Sequence, residues 1–137
     1  MDTTALKDGD PVAFLCAVCG HVDKAVPTRC PGCARRERVA SDVEAEMVRA
    51  TMLWPKPDGY PDGTGGGGRE TWMRIAQLSC DRAEREGRCT WAHVLDEEAA
   101  EALAETDPVK LRAELIQVAA AAMLWAAALD ARKADGQ

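Results

Sequence analysis

Fourteen residues near the middle of the chain, Pro55 to Gly68 (PKPDGYPDGTGGGG), hold three prolines and six glycines. Proline removes backbone donors and glycine adds chain entropy, so such a stretch cannot continue a helix or strand. Regular structure must therefore lie on either side, and the chain reads as four pieces. Residues 1–40 hold the cysteine pairs, 41–54 a connecting helix, 55–68 a loop, and 69–133 a helical body. The loop includes a literal GxGxxG, Gly63 to Gly68, but no strand precedes it and no Lys-Ser/Thr follows it. A hinge or lid fits better than a dinucleotide or phosphate loop.

Of the 137 residues, 47% are hydrophobic and 4% aromatic, a balance that favours packed helices over a β-sandwich. Ser41-Asp42-Val43-Glu44 reads as a capping box, and Val43, Met47, Ala50 and Thr51 or Trp54 share one helical face before Pro55. A second helix is expected from Arg69 to about Glu86, with Trp72, Ile75, Ala76, Ser79 and Ala83 on one side and Gly87 as its stop. Thr90 caps a third helix ending near Glu105. Asp107-Pro108 opens a fourth, running to about Arg132, with Leu111, Leu115, Val118, Ala122, Ala126 and Leu129 as its stripe.

Cys16, Cys19, Cys30 and Cys33 follow C-x2-C-x10-C-x2-C, the pattern of a small zinc ribbon. Four thiolates close a tetrahedral shell, so a structural rather than catalytic Zn2+ is expected. Two disulfides are the alternative, disfavoured because Met1-Asp2-Thr3-Thr4 does not read as a secretion signal. His21 reads as a loop residue, and Cys80 and Cys89 as buried or half-exposed thiols. The net charge of −6 argues against wholesale binding to nucleic acid or anionic membrane. The most apolar run, Val118 to Leu129, reads as too short to span a bilayer, and a cytoplasmic protein is expected.

The acids are the remaining puzzle. DEEAAEALAETD, residues 96–107, contains six of them. At about 100° per residue, Glu98 falls inside the apolar stripe of Trp91, Val94, Leu95 and Ala102, with Glu101 at its edge. On the next helix Glu114 and Gln117 lie at the edge of the stripe that starts at Leu111. A short connection makes the two helices antiparallel neighbours, so the two sets can meet across one seam. Carboxylates there are costly unless paired or metal-bound, and basic partners are scarce. Oxygen ligands without His or Cys suit Mg2+ or Mn2+.

Glu97-Glu98-Ala99-Ala100-Glu101, then twelve residues, then Glu114-Leu115-Ile116-Gln117 is similar to the EExxE…ExxD signature of MazG-like all-α nucleoside triphosphate pyrophosphohydrolases. The run TWAHVLDEEAAEALAETDPVKLRAELIQVAAAAMLWAAALD, with YPDGTGG upstream, resembles a small branch of that family in actinobacteria and their phages; the likeness leaves out the ribbon. The resemblance implies a four-helix MazG-like fold, a homodimer or higher homo-oligomer, and Mg2+-dependent cleavage of (d)NTP to NMP and pyrophosphate. It implies Glu98, Glu101 and Glu114 as metal ligands and Glu97 as a neighbouring acid that orients water. Gln117 stands where the motif has Asp; its amide can ligate a metal but brings no charge and no base. Arg69, Arg74, Lys110 and Arg112 are candidates for the outer phosphates, and Trp72 and Trp91 for packing or base stacking. The competing class is a non-catalytic dimer whose ribbon, followed by Arg35-Arg36-Glu37-Arg38, binds nucleic acid or a protein partner.

Overall fold

The computed structural model describes residues 14–136. The start of the ribbon segment and the Met1-Asp2-Thr3-Thr4 reading lie outside the described residues. The described chain is mostly helical, as expected, and divides into two compact units: residues 14–55 with 123–136, and residues 56–122.

In the first unit, β1 (Phe14–Leu15) pairs antiparallel with β2 (Val22–Asp23), Phe14 opposite Asp23 and Leu15 opposite Val22. The first cysteine knuckle forms the turn between them. Gly20, at φ 72°, takes the left-handed conformation there, and its amide donates to the Cys16 carbonyl. α1 (Pro31–Leu53) then begins at once, with Pro31 in its first turn. This corrects the expected start at Ser41. The Ser41-Asp42-Val43-Glu44 box is an exposed stretch inside a helix that Pro31 nucleates ten residues earlier. The expected apolar face of α1 is also left open: Val39 is its one buried residue, while Met47 and Trp54 are exposed.

In the second unit, the loop contains a single 3-10 turn at Pro57–Gly59, and five of its glycines have positive φ. It is pinned at one point, where the Gly65 amide donates to the Leu103 carbonyl at 2.9 Å. α2 (Arg69–Arg85) and α3 (Trp91–Ala104) form the one close helix pair among the described residues. Small side chains allow that approach: Ala76, Cys80 and Ala83 on α2 face the α3 side, where Ala100 and Ala102 are buried. Thr90 caps α3 as expected, and His93 completes the box by accepting from the Thr90 amide through Nδ1.

α4 (Pro108–Ala134) starts at the expected proline, and Asp107 Oδ1 accepts from the amides of Val109 and Lys110. Two expected stripes are out of phase with what is buried. On α2, Trp72, Ile75 and Ser79 are exposed, while Met73, Ala76, Gln77 and Cys80 turn inward. On α4, Leu111 and Ala121 are buried and Glu114 and Val118 half-buried, whereas Leu115, Ala122 and Leu129 are exposed. By length and composition α4 is also long and apolar enough to cross a membrane, contrary to the shorter apolar run expected.

Gly65, at φ 74°, has Thr106 Cγ2 only 2.5 Å from where a Cβ would stand, whereas Gly67, at φ 52°, has open space. Left-handed backbone costs an L-residue about 1–2 kcal/mol. Urea denaturation should therefore show Gly65→Ala losing clearly more stability than Gly67→Ala. Equal losses would mean that the Thr106 contact does not hold the loop.

Candidate metal centres

The ribbon thiols converge. Cys16 Sγ lies 3.6 Å from Cys33 Sγ, and Cys19 Sγ 3.5 Å from Cys30 Sγ. All four sulfurs lie within 4.8 Å of one another. Thiolates about 2.3 Å from a tetrahedral Zn2+ would be about 3.8 Å apart, close to these separations. The four cysteines can thus bind a metal such as zinc. The backbone amides of Cys19 and Val18 lower the Cys16 thiol to about 6. Its hydrogen bonds to Cys16 and then Cys19 raise Cys33 to about 12. One thiol of the group is therefore already close to the ionised form that a metal takes. Gly32 is required for this closure, because a Cβ there would stand 2.7 Å from Cys19 Sγ. His21 is not one of the ligands. Its Nδ1 lies 3.4 Å from an Arg35 guanidinium nitrogen, and its Nε2 lies 3.6 Å from Asp23.

The second centre is built from carboxylates. Glu98 and Glu101, three apart on α3, and Glu114 on α4 bring oxygens within 4.8 Å of one another. Two oxygens on opposite sides of one Mg2+ are about 4.2 Å apart, so small side-chain rotations suffice to share an ion. The chemistry of the group fits one. Glu98 Oε2 is buried and has no hydrogen-bond partner among the described residues. Burial pushes the Glu98 carboxyl above its usual range, and the charges of Glu101, Glu97 and Glu114 add to the rise. Burial likewise raises Glu114, with Glu101 and then Glu105 contributing.

Two amides border the group. Gln117 Nε2 donates to Glu114 Oε2 at 3.2 Å, so the residue that departs from the motif sits against a motif acid. Gln77 Nε2, from α2, donates to Glu101 Oε1 at 2.7 Å and leaves the other oxygen free. Sequence reasoning missed Gln77 because α2 was phased on Trp72 and Ile75. The available signal was the spacing of Met73, Ala76, Cys80 and Ala83, which places Gln77 on the same face. Glu70, Met73, Gln77, Glu101, Glu105 and Glu114 line an open cleft of about 410 Å³.

Glu97 does not join the three acids; it lies near the Cys80 thiol, which burial and then Glu97 raise. Arg69, Arg74, Lys110 and Arg112 are not among the residues lining the cleft, and Arg74 pairs with Glu70 at 2.7 Å on the surface. Trp72 is exposed and Trp91 half-buried. No family model, no curated protein and no solved structure matches the chain.

Two outcomes follow. The purified protein should carry about one Zn2+ per chain, and Cys30→Ser should release it while the helical unit stays folded. Elemental analysis without zinc would count against this. The second outcome concerns Glu98. A carboxyl raised in the folded state stabilises below its unfolded pKa, and that stability is lost as pH rises through the folded value. Without divalent ions, Glu98→Gln should therefore have the higher urea midpoint at neutral pH, the difference shrinking below about pH 4. Added Mg2+ or Mn2+ should stabilise the unmodified protein and not the variant. An equal response of both would remove Glu98 from the site.

Proposed function

We propose that the protein is a divalent-metal-dependent nucleoside triphosphate pyrophosphohydrolase, the activity implied by its resemblance to MazG-like enzymes. The observation that carries this reading is the convergence of Glu98, Glu101 and Glu114 around the partnerless Glu98 Oε2. A cluster that raises the pKa of two of its own members has a stored demand for positive charge. Bound Mg2+ or Mn2+ would meet that demand and supply Lewis-acid charge against the triphosphate. On the protein side, Gln77 fixes the orientation of Glu101 and Gln117 that of Glu114. The cleft beside them is open, as a site that admits a nucleotide must be.

A homodimer is part of the proposal. Met47, Val48, Met52, Leu53 and Trp54 on α1 are exposed, as are Leu115, Ile116 and Leu129 on α4. A second copy with the same faces is the economical cover for so many large apolar side chains. Light scattering at micromolar concentration should report a dimer or larger, and Met52→Glu with Leu129→Glu should shift it toward monomer. A strict monomer would contradict the dimer.

One observation favours the non-catalytic alternative. Arg35 and Arg36 line a cleft of about 220 Å³ beside Cys19 and His21, whereas no candidate phosphate-binding cation lines the acidic cleft. The decisive experiment incubates the protein with canonical and modified NTPs and Mg2+ or Mn2+, reading pyrophosphate and orthophosphate. Pyrophosphate should appear, and Glu98→Gln or Glu101→Gln should lower its rate by about 100-fold or more, equivalent to roughly 3 kcal/mol of transition-state stabilisation. Gln117→Asp should raise metal affinity. Absence of metal-dependent release with every nucleotide, joined to salt-sensitive oligonucleotide binding lost on replacing Arg35, Arg36 and Arg38, would transfer the function to the ribbon.

A further inference from the structure

Two cysteines lie outside both metal centres and have no part in the proposed chemistry. Cys80 is in the fourth turn of α2 and buried, at 5% exposure; Cys89 lies just before α3 and is exposed. Their sulfurs are 4.0 Å apart. Nothing in the ribbon needs them, since its four sulfurs already form a closed group.

We propose that Cys80 and Cys89 are a dithiol–disulfide pair, a modification site that low-molecular-weight disulfides oxidise through Cys89. Two features support it. The gap between the sulfurs is about 2 Å longer than a disulfide bond, a distance that side-chain rotation of an exposed residue can close. The two thiols have unequal access, so a bulky oxidant reaches one and not the other.

The chemistry balances without a metal. Cys89, after losing its proton to solvent, attacks one sulfur of glutathione disulfide; the Cys89–glutathione bond forms, the glutathione S–S bond breaks, and one glutathione thiolate leaves. Cys80 then loses its proton to solvent and attacks Cys89 Sγ; the Cys80–Cys89 bond forms, the Cys89–glutathione bond breaks, and the second glutathione thiolate leaves. Two protein thiols are oxidised and one glutathione disulfide is reduced to two glutathiones. In the reduced protein burial, then the neighbouring Glu97, raises the Cys80 thiol to about 12, so Cys80 is not the thiol that reacts first. The bond ties the body of α2 to the entry of α3 across Asp81 to Arg88, a segment held now by the amides of Glu86, Gly87 and Arg88.

The test treats the full-length protein with glutathione disulfide, then denatures, alkylates and maps the peptides. The unmodified chain should lose two alkylatable thiols and yield a Cys80–Cys89 linked peptide, with the thermal midpoint higher by about 5 °C and restored by dithiothreitol. Cys80→Ser, or Cys80→Ala if the first folds poorly, should stop at a glutathione adduct on Cys89. Cys89→Ser should leave Cys80 reduced. A stable Cys89 adduct in the unmodified chain, a link to a ribbon cysteine instead, or two thiols that stay alkylatable each overturns the proposal.

Discussion

Like charge gathered at one seam is the constraint around which the helical unit is arranged. Two unit charges about 4 Å apart repel by about 1 kcal/mol in water and about 4 kcal/mol at an effective dielectric of 20. Glu98, Glu101 and Glu114 impose that cost three times over, on oxygens within 4.8 Å. Ordinary proteins dissipate such repulsion by turning acids to solvent or pairing them with Lys and Arg. Here the two nearest donors are amides, Gln77 and Gln117, which orient carboxylates without neutralising them. Burial raises the Glu98 and Glu114 carboxyls first, and the same unrelieved charge adds to the rise.

The positions of α3 and α4 serve that seam directly. The Thr90 cap fixes where α3 begins, and therefore which of its acids fall on the inner face. Asp107 does the same for α4, its carboxylate accepting from two free amides of the first turn. Both caps were legible because a capping residue and a proline at the first helical position have local causes. The same holds for the four ribbon cysteines, whose spacing alone brings their sulfurs together. The acid cluster was legible in outline, since helical periodicity put Glu98 and Glu101 among apolar residues.

What sequence reading missed has a common physical origin. Ser41-Asp42-Val43-Glu44 satisfies the local rule for a helix start, yet Pro31 supplies an earlier one, and a helix once nucleated propagates through a sequence without breakers. On α2, Trp72 and Ile75 are the most hydrophobic residues, and a rule that buries the greasiest face chose them. Ala76 and Ala83 of the expected face are buried, joined by Cys80 rather than by Trp72 and Ile75, because small side chains let α2 approach α3 and carry Gln77 to Glu101. The buried face of α2 is the expected one rotated toward Met73 and Gln77, a shift that periodicity alone does not fix. Glu97 was placed by its motif, while its contact with Cys80 depends on the α2 phase and was therefore out of reach.

The thinness of the core links these observations. In the helical unit the fully enclosed positions are alanines, with Cys80 and Leu111 the largest buried apolar residues, and no large side chain among the described residues is completely covered. Burying an alanine contributes far less than the roughly 1.5–3 kcal/mol of a Leu or Ile. A unit held by close alanine packing, and carrying a charged seam, has little stability to spare. Whatever binds the folded form alone then contributes to folding by linkage, with each ligand adding RT ln(1 + [L]/Kd). A cation at the three glutamates would relieve the repulsion, and a copy over Leu115 and Ile116 would bury what the helical unit leaves open. Metal and self-association are for that reason expected to raise stability together, and a carboxylate exchanged for its amide should make folding less dependent on the first while leaving the second intact.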